Sequence, residues 1–301
     1  MQSISAMIQK YCGSQRPTGL VVIREGQIAG TWGSTDHPVN VRSVRKSLLS
    51  ALYGIAVGEG KINIDDTLEK LAIDDTPPSL SETEKQATVR DLLTCSSGIY
   101  HAAAYETRLM GEKRPDRGSH VAGKFWYYNN WDFNALGTIY RQATSQDIFE
   151  DFHHKIADPI GMTNYSYRNG VYQKEETSDH PAYLFKMSAD DLAKFGLLYL
   201  NNGNVNGQQI IPSSWVMEST QPHLLTDAEG FGYGYMWWVS TSDTVNGKGA
   251  FVAAGNGGQI LAVAPSKQLV IAQTVDLSSN KGRLETAPFF AFTRQVFGHY
   301  T

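Results

Sequence analysis

The chain has 301 residues, 41% of them hydrophobic and 19% charged, with a net charge of −4 at neutral pH. That length is enough for two subdomains around a buried core. No run of about 18 apolar residues and no block of basic ones occurs, so a membrane span, nucleic acid and an anionic membrane surface drop out as expectations.

In chain order, the first dozen residues read as a short helix. They lack a basic start followed by an apolar core, so no signal peptide is expected and the location is predicted to be cytoplasmic. Gly19–Arg24 and Gln27–Trp32 read as two strands joined by the turn Arg24-Glu25-Gly26-Gln27. Ser43-Val44-Arg45-Lys46 heads the apolar run Ser47–Val57, predicted as one buried helix closed by Gly58 and Gly60. From about residue 61 to 180 the pattern is mostly helical and loop. One helix is expected over Thr88–Thr94, with a capping threonine, and another over Trp131–Ala143. Ser188–Leu200 is the clearest amphipathic helix, opened by a serine cap and closed by Asn201-Asn202-Gly203. Strands follow at Gly234–Val239, Gly249–Ala254, Gln259–Ala264 and Leu269–Thr274, joined by Gly-rich turns. Without helical crossovers these imply an antiparallel sheet, on which a last helix, Ala287–Phe297, is expected to pack. The predicted architecture is α/β (α+β). Residues 1–60 and 181–301 form an α/β domain, residues 61–180 a helical one, and the site lies in the cleft between them.

Ser43 and Lys46 are three residues apart, so on a helix they share one face, about 5–6 Å apart at Cβ. A serine hydroxyl needs a nearby base to become a nucleophile. A lysine serves as that base only once it sheds its proton, which burial and neighbouring cations, here Arg42 and Arg45, favour. The helix start adds free backbone N–H groups where an oxyanion would form. The competing reading is a capping serine beside a solvated lysine. Ser278-Ser279-Asn280-Lys281 repeats the pattern in a loop with no apolar helix after it.

Tyr127–Gly137 crowds aromatic and amide residues at a helix start. A tyrosine beside a lysine ammonium would have its pKa lowered and could act as base or acid; otherwise these rings fill the core. Ala253-Ala254-Gly255-Asn256-Gly257-Gly258-Gln259 joins two strands, and its small residues mark either close approach of a ligand backbone or a simple Gly-rich hairpin. Tyr233 and Trp237 either line the site or fill the core, and His101–His120 is expected to rim the cleft. Cys12 and Cys95 follow no metal-ligand spacing and read as small buried residues, not a disulfide. No metal or organic cofactor is implied.

Taken together, these segments resemble the serine β-lactamase and penicillin-binding-protein superfamily. The likeness is to the branch with class C β-lactamases, family VIII esterases and 6-aminohexanoate-dimer hydrolases, in order over nearly the whole chain. Ser43-Val44-Arg45-Lys46 matches its Ser-x-x-Lys signature, and Tyr128-Asn129-Asn130 its Tyr-x-Asn element, with Gly137 nine residues after the tyrosine. Leu92–Gly98 looks like its Leu-Leu-x-His-x-Ser-Gly stretch, with Cys95 where histidine is usual. The resemblance implies that Ser43 is the acylated nucleophile, that Lys46 takes or relays its proton, and that Tyr128 protonates the leaving group and later activates water. It implies that Asn130 orients the substrate carbonyl or the lysine, and that the backbone N–H groups of Ser43 and Asn256 form the oxyanion hole. Tyr233, Gly255 and Asn256 join Asn130 as substrate-binding candidates.

The family's third motif, Lys-Thr-Gly or His-x-Gly, is here Ala253-Ala254-Gly255. The strand remains but the basic side chain that helps hold a substrate carboxylate is gone. The expected partner is therefore a small-molecule ester or amide without that carboxylate. A penicillin-recognising β-lactamase or D,D-peptidase, an acyltransferase, and a non-catalytic sensor on the same fold are the alternatives. A Ser–His–Asp hydrolase would use one of the eight histidines, but no Gly-x-Ser-x-Gly elbow exists.

Overall fold

The computed structural model describes residues 3–76, 78–242, 247, 249–279 and 282–299. Helix α1 (Ile4–Gln15) opens the chain, its N-cap Ser3 accepting from the Ala6 N–H. The hairpin β1 (Gly19–Arg24) and β2 (Gln27–Gly33) follows, then the short β3 (Val39–Asn40) and helix α2 (Val44–Gly58). The middle of the chain carries α3 (Val89–Leu93), α4 (Arg108–Lys113), α5 (Asn130–Thr144), α6 (Ile148–Phe152) and the hairpin β4 (Val171–Glu175) and β5 (Ser178–Leu184). Strand β6 (Lys186–Met187) pairs with β3 and leads into α7 (Ala189–Leu200). A small hairpin of β7 (Asn204–Val205) and β8 (Gln208–Gln209) precedes α8 (Ser213–Ser219). The rest supplies β9 (Leu224–Leu225), β10 (Phe231–Tyr233), β11 (Trp238–Ser240), β12 (Phe251–Gly255), β13 (Gln259–Ala264), β14 (Leu269–Thr274) and α9 (Thr286–Gly298).

Strands from both ends of the chain build one eight-stranded antiparallel sheet, ordered β2-β1-β14-β13-β12-β11-β10-β9. Its central strands are apolar at nearly every position because both faces are covered. Leu20, Val22, Ile260, Ala262, Leu269 and Ile271 face α1 and α9. Their alternates Val21, Ile23, Leu261, Val263, Val270 and Ala272 belong to the other core, with α2, α5 and α7. Gly196 lets α7 lie close on this face, since a Cβ there would come within 2.5 Å of Val270.

Helix ends form where capping residues stand. Ser188 caps α7 by accepting from the Asp191 N–H, and Thr88 with Asp91 makes a capping box on α3. Two segments depart from expectation. The strand expected over Gly234–Val239 breaks into β10 and β11, because the carbonyls of Tyr235 and Met236 turn away to accept from Ser50 and Ser47 of α2, each at 2.7 Å. Residues 171–180, placed in a helical and loop region, form with 181–184 the β4–β5 hairpin. It packs on α5 where Gly137 leaves room for the Tyr183 ring, 2.7 Å from where a Cβ would sit. Among the described residues no helix is long and apolar enough to cross a membrane.

Candidate active site

Ser43 is the N-cap of α2, with φ −72° and ψ −10°, and its hydroxyl makes no capping bond. It accepts instead from Lys46 Nζ at 3.1 Å. The lysine is 1% exposed, so the pair is not a capping serine beside a solvated lysine. The same amine lies 2.8 Å from the Tyr128 hydroxyl and 2.9 Å from Asn130 Oδ1. The rings of Tyr128 and Phe133, with centroids 4.2 and 4.1 Å from Nζ, wall it off from water. Two sequence motifs thus meet at one nitrogen.

Burial pushes the Lys46 pKa well below its ordinary value, and the adjacent Arg45 pushes it the same way. Arg45 is itself buried. Its Nη2 donates to Asn134 Oδ1 at 3.1 Å, its guanidinium lies 4.4 Å over the Tyr183 ring, and its Nε and Nη1 have no hydrogen-bond partner. Burial pushes the Tyr128 pKa up, against the opposing effect of its hydrogen bond with Ser43. This reverses the sequence expectation. The lowered tyrosine pKa required an ammonium beside it, and the desolvated lysine favours its neutral form.

Asn130, the first residue of α5, is held on both sides. Its Oδ1 accepts from the lysine while its Nδ2 donates to the Tyr105 carbonyl at 2.8 Å. Of the two roles considered for it, this bonding serves the orientation of the lysine. Asn129 caps α5 and, with Ser97, donates to the buried Asp132 carboxyl, whose pKa burial raises well above the usual range. These bonds tie the loop after α3 to the start of α5.

Ser43, Tyr128, Gly255 and Asn256 line one cleft of about 500 Å³. Strand β12 reaches it end-on, and Gly255 is the residue that permits this. A Cβ there would come 2.4 Å from the Val41 carbonyl oxygen and 3.1 Å from Arg42 Cβ. Ala253 is buried in the core shared with α2, while Ala254 is half-buried and faces the cleft.

Tyr233 does not line this space. It is 1% exposed, packed edge-on against Tyr128 at 6.1 Å and against Trp238 at 5.3 Å, so it backs the candidate tyrosine and does not meet a ligand. Trp237 is likewise core. Of the stretch expected at the rim, Thr107 and Met110 line the cleft, whereas His101 is buried between Asp75 and Glu84. Cys12 and Cys95 are free and buried. Ser278, in the second Ser-x-x-Lys match, donates to Asp276 at 2.6 Å in an exposed turn, and Lys281 lies outside the described residues.

Sequence reasoning missed the far wall, formed by Phe231, Trp238 and residues 283–286 with Phe290 of α9. Nothing local marks them. Phe231 and Trp238 come from β10 and β11, and the others arrive with α9 and the segment before it. It also missed Tyr105, whose hydroxyl accepts from Arg42 and whose carbonyl holds Asn130.

An uncharacterized protein of Alkalihalophilus pseudofirmus is 26% identical over 259 residues, covering 78% of this chain and 72% of that one. A Bacillus anthracis structure assigned as a 6-aminohexanoate-dimer hydrolase superposes with a TM-score of 0.74 at 22% identity, over 97% of this chain and 81% of that one. The octameric penicillin-binding-protein homologue of Pyrococcus abyssi gives 0.68 at 18% identity, over 96% and 75%. The beta-lactamase family model matches residues 5–289, nearly the whole length, and the chain belongs to that family.

Proposed function

We propose that this protein is a serine hydrolase that cleaves a carboxylic ester or amide through an acyl-enzyme on Ser43. The observation that carries the reading is the buried Lys46 amine, within hydrogen-bond distance of Ser43, Tyr128 and Asn130 at the edge of an open cleft. Asn130 fixes the amine so that its lone pair can take the Ser43 proton. Ser43 Oγ then attacks the substrate carbonyl. Its own N–H and that of Asn256 stand as donors for the oxyanion. Tyr128, kept protonated by burial, passes its proton to the leaving oxygen or nitrogen and is reprotonated through Lys46. Water enters by the reverse route and frees Ser43.

The substrate class follows from the cleft wall. Among its described residues the only cation is Arg283, and Glu285 follows two positions later; Ala253 and Ala254 bring no charge. A carboxylate-anchored penicillin or peptidoglycan stem is therefore the less suited substrate. The hydrolase assignment of the Bacillus anthracis neighbour agrees with ester or amide cleavage. A fluorophosphonate should label Ser43, read by mass spectrometry of the peptide. Lys46→Ala and Tyr128→Phe should each slow p-nitrophenyl butyrate hydrolysis by about 10²–10⁴-fold. Label on another residue, or near-normal rates in both variants, would defeat the proposal.

A further inference from the structure

On the far side of Tyr128 lies a second hollow of about 790 Å³. Met110, Tyr128 and Trp238 line both spaces, so the two adjoin at the tyrosine. The walls are Leu109, Phe125, Trp126, Leu224 and Leu225, an apolar and aromatic set. Three of the seven exposed large apolar side chains among the described residues lie here: Leu109 at 60%, Phe125 at 41% and Leu225 at 76%. Helix α4 above the hollow buries none of its own residues. It is held by the Tyr127 hydroxyl on the Met110 carbonyl, at 2.7 Å, and by Lys113 3.9 Å from Asp227. A continuous apolar surface left open beside a reactive centre is what a ligand covers, and here the charged groups sit at the outer rim.

Which part of a substrate fits there follows from the order of groups along the cleft. Ser43, Gly255 and Asn256 line the cleft alone, whereas Tyr128, the proposed proton donor to the departing group, lines both the cleft and the hollow. The hollow begins past that donor. We infer that it holds the leaving group, and that the substrate is an ester or amide of an apolar alcohol or amine several carbons long. This rests on the hydrolase reading above. In the step concerned, the Ser43 Oγ–carbonyl bond forms and the bond from the carbonyl to the leaving oxygen or nitrogen breaks. The proton given up by Ser43 is balanced by the one delivered to the departing atom, so a neutral alcohol or amine is left in the hollow.

The test is a series of alkyl butyrates from methyl to octyl, followed by acid release, against a parallel series of methyl esters from acetate to octanoate. All alkyl butyrates share one butyryl-enzyme, so differences in kcat/KM report acylation and leaving-group binding alone. Each alcohol methylene should raise kcat/KM about two- to fourfold until the hollow is filled. Leu109→Asp and Leu225→Asp, at exposed positions where folding is not at stake, should flatten that rise along the alcohol series. A flat alcohol series with methyl butyrate still cleaved, or a rise confined to the acyl series, overturns the inference and leaves the hydrolase intact. No cleavage of any ester together with no fluorophosphonate label on Ser43 brings down both.

Discussion

Arg45 is a buried cation with no carboxylate partner among the described residues, next in sequence to the amine that the proposed mechanism requires to be neutral. Replacing it with methionine keeps most of the volume and removes the charge. At an effective dielectric of about 20, two charges roughly 8 Å apart interact by about 2 kcal/mol. A repulsion of that size favours the neutral form of Lys46, the direction in which burial also pushes it. The sign follows from the base role. Lys46 acts neutral, so activity falls as pH drops through its pKa, and removing Arg45 raises that pKa. The acid limb of the kcat/KM–pH profile should therefore move to higher pH, with the plateau retained at high pH. Arg45→Lys, which restores the charge, should return the limb most of the way. Fold loss is separable by thermal melting. Asn134 Oδ1 loses its donor, but two unpartnered buried N–H groups disappear too, so stability should change by no more than about 1–3 kcal/mol. A folded Arg45→Met enzyme whose acid limb stays within about 0.3 unit of wild type would refute the electrostatic account.

Three other outcomes are expected. Asn130→Asp places a carboxylate where the amide oxygen lies 2.9 Å from Lys46 Nζ, so the lysine should hold its proton; the neutral-pH rate should fall by about 10²-fold and recover in alkali, and an unshifted profile would show that Asn130 does not bear on the lysine. Gly255→Ala forces a Cβ against the Val41 carbonyl at 2.4 Å and should cost about 1–3 kcal/mol in thermal or urea unfolding, with activity falling as the Ser43 loop shifts; a wild-type melt would contradict the close approach. Because Ala253 and Ala254 carry no base, nitrocefin should be turned over far more slowly than p-nitrophenyl butyrate, and comparable rates would overturn the substrate assignment.

Much of the fold was legible because its causes are local or periodic. The apolar strands, the Thr88 and Ser188 caps and the long α2 run follow from residue chemistry within a few positions. The meeting of Ser43, Lys46, Tyr128 and Asn130 was legible through the family likeness, which carries long-range information that spacing alone lacks. What was missed depends on distant partners. The break at 234–237 is dictated by two serines about 185 residues upstream on α2. The burial of Tyr233 follows from an aromatic cluster drawn from three segments. The direction of the Tyr128 pKa turned on desolvation, which no motif encodes.

The Gly255–Val41 approach couples the Ser43 loop to the sheet through main-chain atoms, with no side chain as intermediary. Position 254, one residue back, faces the cleft without supporting that contact. Its side chain can therefore be exchanged while the reacting atoms stay registered to the scaffold. Under the proposed hydrolase reading, selectivity is a replaceable surface laid over a fixed backbone frame, and the alanine at 254 is the first place where a new preference could be written.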